Sequence, residues 1–272
     1  MKKIIKYSSD LKNIYYNKSF WARVKDAFYL RHDGDIYIKS LDVIVKNYRF
    51  PSNFDDEAYV RNVNKILKKN KGSLLCPQSH RLYDYKYSTD FQKKALSYSI
   101  VESVRSILRL QKKSLFNACI VINNAEYDIN RNIIYEISKW CKYIVLVSEW
   151  DNQKNRKIFD YLVSNFGVSP IITDDIIPFI NKADFIITAT PIYIKVLCPI
   201  WLLDNSLRPS SFDNIHINNV SYKTEWADED IVTPELLGAF FEVAKEKSIE
   251  KAFENNKVYL DKIKFDNKII EL

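Results

Sequence analysis

The chain has 272 residues, 47% of them hydrophobic and 28% charged, which gives enough apolar material for a core and excludes bulk disorder. No run of about 18 apolar residues occurs, and the nearest candidate, 192–203, is interrupted by Lys195, so no membrane span is expected. The net charge of +7 is uneven: residues 1–113 hold 24 Lys+Arg against 11 Asp+Glu, whereas residues 114–272 hold 17 against 23. That asymmetry marks two units with different partners, or two units that attract each other.

Along the chain, 1–30 mixes helical and extended signals. Residues 35–45 have the β-branched content of a strand. Asp55, Asp56 and Glu57 lead into a helix over 58–69, with acids placed where the helix dipole favours them. Lys65, Lys68, Lys69 and Lys71 fit its solvated face, and Gly72 is a candidate C-cap. Residues 72–87 read as strand or loop broken by Pro77. Within them Arg81, Tyr83, Tyr85, Lys86 and Tyr87 mix cations with aromatics, as a single-strand stacking platform does, but also alternate like an exposed strand. Thr89-Asp90 caps a helix over 91–111, where Ala95, Tyr98, Val101, Ile107 and Leu108 recur at helical spacing.

After residue 114 short apolar runs alternate with helical stretches. Strands are predicted at 118–122, 143–147, 169–172, 184–188, 200–203 and 215–218, and helices at 130–140, 154–166, 175–181 and 234–247. Such alternation predicts a parallel sheet with right-handed crossovers. The expected fold is α/β, a C-terminal Rossmann-like parallel sheet (114–272) preceded by a smaller basic α/β domain (1–113), with a terminal helix packing back on the first unit. Asp174-Asp175 reads as helix capping, and 228–230 as a solvated acidic turn.

Cys76, Cys119, Cys141 and Cys198 form no C-x-x-C pair, and His32, His80 and His216 are scattered, so buried thiols are expected rather than a disulfide framework or zinc site. The first ten residues lack the apolar stretch of a signal peptide, and a cytoplasmic location is expected. Cys76, His80 and Asp90 are a weak nucleophile–base–orienter candidate.

The unit from Ala118 to Glu149 resembles the first βαβ of a dinucleotide-binding Rossmann domain, with Glu149 ending its second strand. Ala183-Asp-Phe-Ile-Ile-Thr-Ala-Thr-Pro191 is similar to the "ADxxIxATP" segment of shikimate dehydrogenases, with related versions in glutamyl-tRNA and acyl-carrier-protein reductases. The stretch from Leu203 to Pro209 resembles the strand-then-proline segment of the same superfamily. Leu82 to Asp90 resembles the segment that carries that family's catalytic aspartate, which places Asp90 in that role, and Asn53 falls where the family has its catalytic lysine. The resemblance implies an NAD(P)-linked oxidoreductase acting on a small hydroxy or carbonyl compound. Asp90 would hold the substrate hydroxyl, Lys86 or His80 would transfer the proton, Glu149 would take the ribose of NAD, and Thr190-Pro191 would lie near the nicotinamide. Without the lysine, shikimate itself is not expected as substrate.

The glycines of the family's G-x-G-x-x-G loop are replaced by Asn123, Ala125 and Asp128. Asn tolerates a left-handed turn and Ala is small, but Asp128 and Glu126 put carboxylates where a pyrophosphate sits. At an effective dielectric near 20, one carboxylate about 4 Å from a phosphate charge costs roughly 4 kcal/mol. Arg131 offsets part of this, and Asp128 has a simpler reading as a helix N-cap. The alternative is therefore a descendant with no cofactor that binds a protein, a peptide or an anion. Small molecules and proteins or peptides lead the expected partners, a homodimer is allowed, and RNA bound by the basic half ranks last.

Overall fold

The chain begins with β1 (Lys2–Ser9), α1 (Phe20–Tyr29), β2 (Arg31–Ile38), β3 (Val43–Phe50), α2 (Asp56–Lys69) and β4 (Leu74–Pro77). The four strands make one sheet in the order β2-β3-β1-β4, with β1 parallel to β3 and β4 and β2 antiparallel at the edge. The structure is a computed structural model that describes residues 2–77, 80–209, 214–226, 232–266 and 268–270; the predicted acidic turn at 228–230 lies outside them. The strand expected over 35–45 is instead two strands, because Lys39–Leu41 turns and Asp42 adopts a left-handed φ of 50°, which aspartate tolerates. Asp55 caps α2 by accepting the Ala58 N–H at 3.2 Å, and the helix ends at Asn70 rather than Gly72. Ile5 and Tyr7 of β1 pack with Phe50, Phe54, Tyr59 and Val63 beneath α2, so this central strand is buried on both faces.

Residues 81–87 are not a strand. They form α3 (Arg81–Asp84) and a 3-10 turn, Tyr85–Tyr87. The alternation misleads because Arg81 turns inward: Nε donates to Glu235 Oε1 at 2.6 Å, Nη2 to Asn219 Oδ1 at 3.1 Å, and Nη1 to the Asn218 carbonyl. Thr89 then opens α4 (Asp90–Leu110) with a capping box, in which Thr89 Oγ1 accepts the Gln92 N–H and Gln92 Oε1 accepts the Thr89 N–H.

The second half lays down β5 (Cys119–Asn123), α5 (Asp128–Ser138), β6 (Tyr143–Val147), α6 (Asn152–Phe166), β7 (Ile171–Thr173), α7 (Ile177–Ile180), β8 (Phe185–Thr188), β9 (Ile200–Leu202) and β10 (His216–Ile217). All six strands are parallel in the order β7-β6-β5-β8-β9-β10, the doubly wound order of a Rossmann sheet. Gly167, at φ 66°, closes α6 as a left-handed C-cap. Asp175 Oδ1 accepts the Ile177 N–H at 2.9 Å just before α7, but the N-cap position is Ile176, so Asp175 is not the cap expected of it.

The last part contains β11 (Asn219–Lys223), α8 (Pro234–Val243), α9 (Ile249–Asn255), β12 (Tyr259–Phe265) and β13 (Lys268–Ile269). The three strands form a small antiparallel sheet that the residue pattern did not announce, and the helix expected over 234–247 stops at Val243. α8 joins the two units: Leu236, Ala239 and Phe240 cover Ile4, Val43 and Val45, while Leu237 and Phe241 enter the core that α4 and α5 build on the large sheet. Gly238 permits this, since a Cβ there would come within 2.4 Å of the Gln92 Cα. Cys76, Cys141 and Cys198 are buried thiols and Cys119 is half-buried.

Candidate functional site

In an open parallel sheet of this order the helices change face between β5 and β8, leaving a crevice at the carboxyl ends of those strands. Asn123 and Thr188 are register partners there. The connection from β5 to α5 turns on Asn124, whose φ of 57° supplies the left-handed residue the missing glycine would give. Ala125 is buried and donates its N–H to the Val147 carbonyl at 2.9 Å, which fixes the loop to β6. Asn130, also buried, donates Nδ2 to the carbonyls of Asn124 at 2.8 Å and Asn123 at 3.3 Å. Among the described residues nothing accepts the N–H groups of Glu126, Asp128 and Ile129. The loop therefore turns its carbonyls inward and leaves donors open at the positive end of α5.

The acids sit differently from expectation. Asp128 is the first residue of α5 and not its cap; Tyr127 precedes it without a side-chain cap bond. Its side chain is 78% exposed and lies 3.0 Å from Arg131 Nη2. An exposed, paired carboxylate is screened, so its repulsion of an anion falls from roughly 4 kcal/mol towards about 1 kcal/mol. Glu126 is the stronger obstacle, since its Oε2 is buried without a hydrogen-bond partner among the described residues.

At the crevice the polar side chains bond mainly to one another. Asn123 Nδ2 donates to Thr188 Oγ1 and Asn124 Oδ1, both at 3.1 Å, and Thr190 Oγ1 donates to Asn124 Oδ1 at 2.6 Å. Pro191 comes next, half-buried, and Glu149 is exposed beyond the end of β6.

A cleft of about 890 Å³ opens beside this loop. Lys86, Asp90 and Lys93 line one side, and Glu126, Asp128 and Arg131 the other, so cations and carboxylates are matched in number. Four expected site residues (Lys86, Asp90, Asp128 and Arg131) thus share one cavity. Asn132 donates to the Tyr85 hydroxyl across it at 2.8 Å, and burial pushes that phenol up to about 12.

His80 stands in the wall between the units. Its Nδ1 is 2.7 Å from Asp204 Oδ2, and its ring packs against Phe54 and Tyr83 at 4.6 and 4.8 Å between centroids. Asp204 is fully buried and also accepts the Leu82 and Ser206 N–H groups and the Ser206 hydroxyl. Burial raises its pKa, but the His80 bond, its charge and these donors outweigh that and hold the carboxyl below its usual range. A carboxylate on Nδ1 makes that nitrogen the donor and leaves Nε2 of the neutral ring as acceptor. Buried Asp84, one turn of chain beyond His80, accepts the Tyr7 and Tyr59 hydroxyls at 2.6 and 2.7 Å, and burial pushes it up to about 7 against those bonds. Neither Asp204 nor Asp84 is singled out by any motif; each takes key partners from segments distant in the chain.

One expectation fails. Cys76 does not join His80 and Asp90: it is buried on β4, burial raises its thiol, and Asp90 faces the cleft on α5's side. Asn53 lies between β3 and α2 and is fully buried, donating to the Asn17 carbonyl at 2.7 Å and to Asp26, a buried carboxylate that also accepts from Tyr15, Arg61 and Asn62.

The strand order defines the class as a Rossmann-type α/β protein with a second, smaller α/β unit. No protein-family model and no curated protein sequence matches the chain. Among solved structures it is similar to a shikimate dehydrogenase in complex with NADP+, at 15% identity over 94% of both chains with a TM-score of 0.40. It is also similar to the shikimate dehydrogenase from Aquifex aeolicus, at 10% identity over 94% of this chain and 97% of that one with a TM-score of 0.40. An L-tryptophan dehydrogenase from Nostoc punctiforme shares 10% identity over 93% of this chain and 76% of its own, at a TM-score of 0.36.

Proposed function

We propose that the chain is an NAD(P)-linked oxidoreductase acting on a small hydroxy or carbonyl substrate. The observation that carries this reading is the crevice loop, which combines a left-handed Asn124, a buried Ala125 and unbonded N–H groups at the start of α5. Arg131 neutralises Asp128, so the residues present fit a pyrophosphate, with Glu126 as the remaining cost. Glu149 would hold the adenosine ribose, and Thr190-Pro191 would border the nicotinamide. A bound dinucleotide supplies hydride transfer. The chain's own share is to bind, orient and move a proton: Asp90 and Lys86 would hold a polar substrate in the cleft, and His80, oriented by Asp204, would accept a proton at Nε2.

A second reading, a scaffold that binds no cofactor, draws on the closed Asn123–Asn124–Thr188–Thr190 network and on Glu126. Calorimetric titration with NAD, NADH, NADP and NADPH separates the two. Micromolar binding of any one supports the oxidoreductase, and Glu126→Gln then tightens it by roughly tenfold as one unpaired carboxylate is removed. No binding at millimolar concentration leaves the scaffold.

A further inference from the structure

The polarity of α1 is inverted. Its buried residues are Ala22 and Asp26, and Asp26 is the carboxylate held by Tyr15, Asn53, Arg61 and Asn62, so the inner side of the helix is a small side chain and a charge. Its large apolar side chains point outward instead: Phe20 is 69% exposed, Trp21 78% and Phe28 81%, with Val24 at 50%. At about 100° per residue these four fall within an arc of about 100°, opposite Ala22 and Asp26. Phe20 and Trp21 meet edge to face with ring centroids 5.8 Å apart, which makes the start of the stripe one aromatic surface. A folded chain that has apolar cores elsewhere leaves such a stripe outside where something else covers it.

The charges around the stripe choose its occupant. Arg23 and Lys25 flank it on the two sides of the helix, and Lys18 and Arg31 stand just beyond its two ends, all four exposed. Lys18 pairs with Glu57 at 3.6 Å, Lys25 Nζ lies 3.9 Å from the centre of the Tyr15 ring, and Asp10 and Asp33 line a cavity together with Lys25 and Arg49. Arg23 and Arg31 pair with no described carboxylate. Every outward charge from residue 16 to residue 31 is therefore positive, in a unit (1–113) that holds 24 Lys+Arg against 11 Asp+Glu. A second copy on this face would set those cations against their own kind. A lipid surface matches both features, since its apolar layer lies directly beneath anionic headgroups.

We infer that α1 docks the protein peripherally on a membrane surface containing anionic lipids. Phe20, Trp21, Val24 and Phe28 enter the boundary between headgroups and acyl chains, while Arg23, Lys25 and Arg31 meet the lipid phosphates. No spanning segment is needed, and the inference does not rest on the oxidoreductase reading.

Co-sedimentation with vesicles of phosphatidylcholine alone, and of an equal mixture of phosphatidylcholine and phosphatidylglycerol, tests this. The wild type is expected to bind the mixed vesicles at least tenfold more tightly than the neutral ones, and less tightly as salt rises. The double variant Trp21→Gln, Phe28→Gln loses tenfold or more of that affinity with no fall in Tm, because both rings are exposed. Arg23→Glu with Lys25→Glu loses a similar amount, whereas Tyr259→Gln, exposed on β12, is unchanged. On the wild type, the mixed vesicles protect Trp21 and Phe28 from hydroxyl-radical oxidation read by peptide mass spectrometry, a readout that needs no variant. Equal binding to neutral vesicles, or unchanged affinity of the Trp21 and Phe28 double variant, overturns the inference. So does the absence of binding to the mixed vesicles, which leaves the stripe to an acidic protein. A stable dimer in light scattering that the same double variant converts to monomer gives the stripe to a second copy and overturns it as well.

Discussion

The two sheets handle polar groups in opposite ways. The six-stranded sheet is apolar through its central strands, and at its carboxyl crevice the side chains that bond one another, Asn123, Asn124, Thr188 and Thr190, are neutral. The four-stranded sheet buries charge instead: Asp26 on the inner face of α1, Asp84 under two tyrosines, and Arg81 at its junction with α8. A buried neutral partner left unsatisfied costs about 1–3 kcal/mol, whereas a stranded buried charge costs about 3–5 kcal/mol. Sensitivity to substitution and to pH should therefore concentrate in the smaller unit and at the junction.

The sharpest way to break that comparison is Asp26→Ala. It strands Arg61 together with Asn53 and Asn62, and a loss of about 3–5 kcal/mol is expected in denaturant unfolding. A loss no larger than that of Thr188→Val would refute the contrast.

Next comes Asp84. A carboxyl held at about 7 when folded and 3.8 when free stays protonated in the folded protein while the unfolded chain ionises. Its contribution is neutral below the usual carboxyl range, falls as pH rises from about 4 to 7, and is flat above. The full change is about 4 kcal/mol. Asp84→Asn keeps an acceptor for both tyrosines and cannot ionise, so its stability relative to wild type should rise across that window. Asp204, held below its usual range, acts oppositely, and its stabilisation is lost only as pH falls below that range.

Gly238→Ala tests the junction itself. A methyl 2.4 Å from the Gln92 backbone must push α8 from α4, at a cost of roughly 1–3 kcal/mol seen as a lowered Tm. Thr89→Ala removes half of the capping box, for about 1 kcal/mol. Asp128→Asn, at the exposed start of α5, should change stability by less than about 0.5 kcal/mol.

Much of the larger unit was legible because its signals are local. Buried parallel strands read as short apolar runs, Gly167 ends α6, and Thr89 announces α4. The replaced glycines were legible too, and Asn124 takes up the left-handed turn one residue after the position the motif indicated. The segment 81–87 misleads because its pattern comes from tertiary partners: Arg81 is inward only because Glu235, more than 150 positions away, is there to receive it.

The candidate site divides along the same line. The amino-acid sequence by itself determined the βαβ order, the crevice where a ligand belongs, and the absence of glycine from its loop, since chain connectivity and backbone sterics fix all three. Only the tertiary structure decided that Asp128 faces solvent with Arg131 and that His80 meets Asp204. Those outcomes depend on the local dielectric and on which groups from distant strands come within hydrogen-bond reach, quantities that no local pattern of residues encodes.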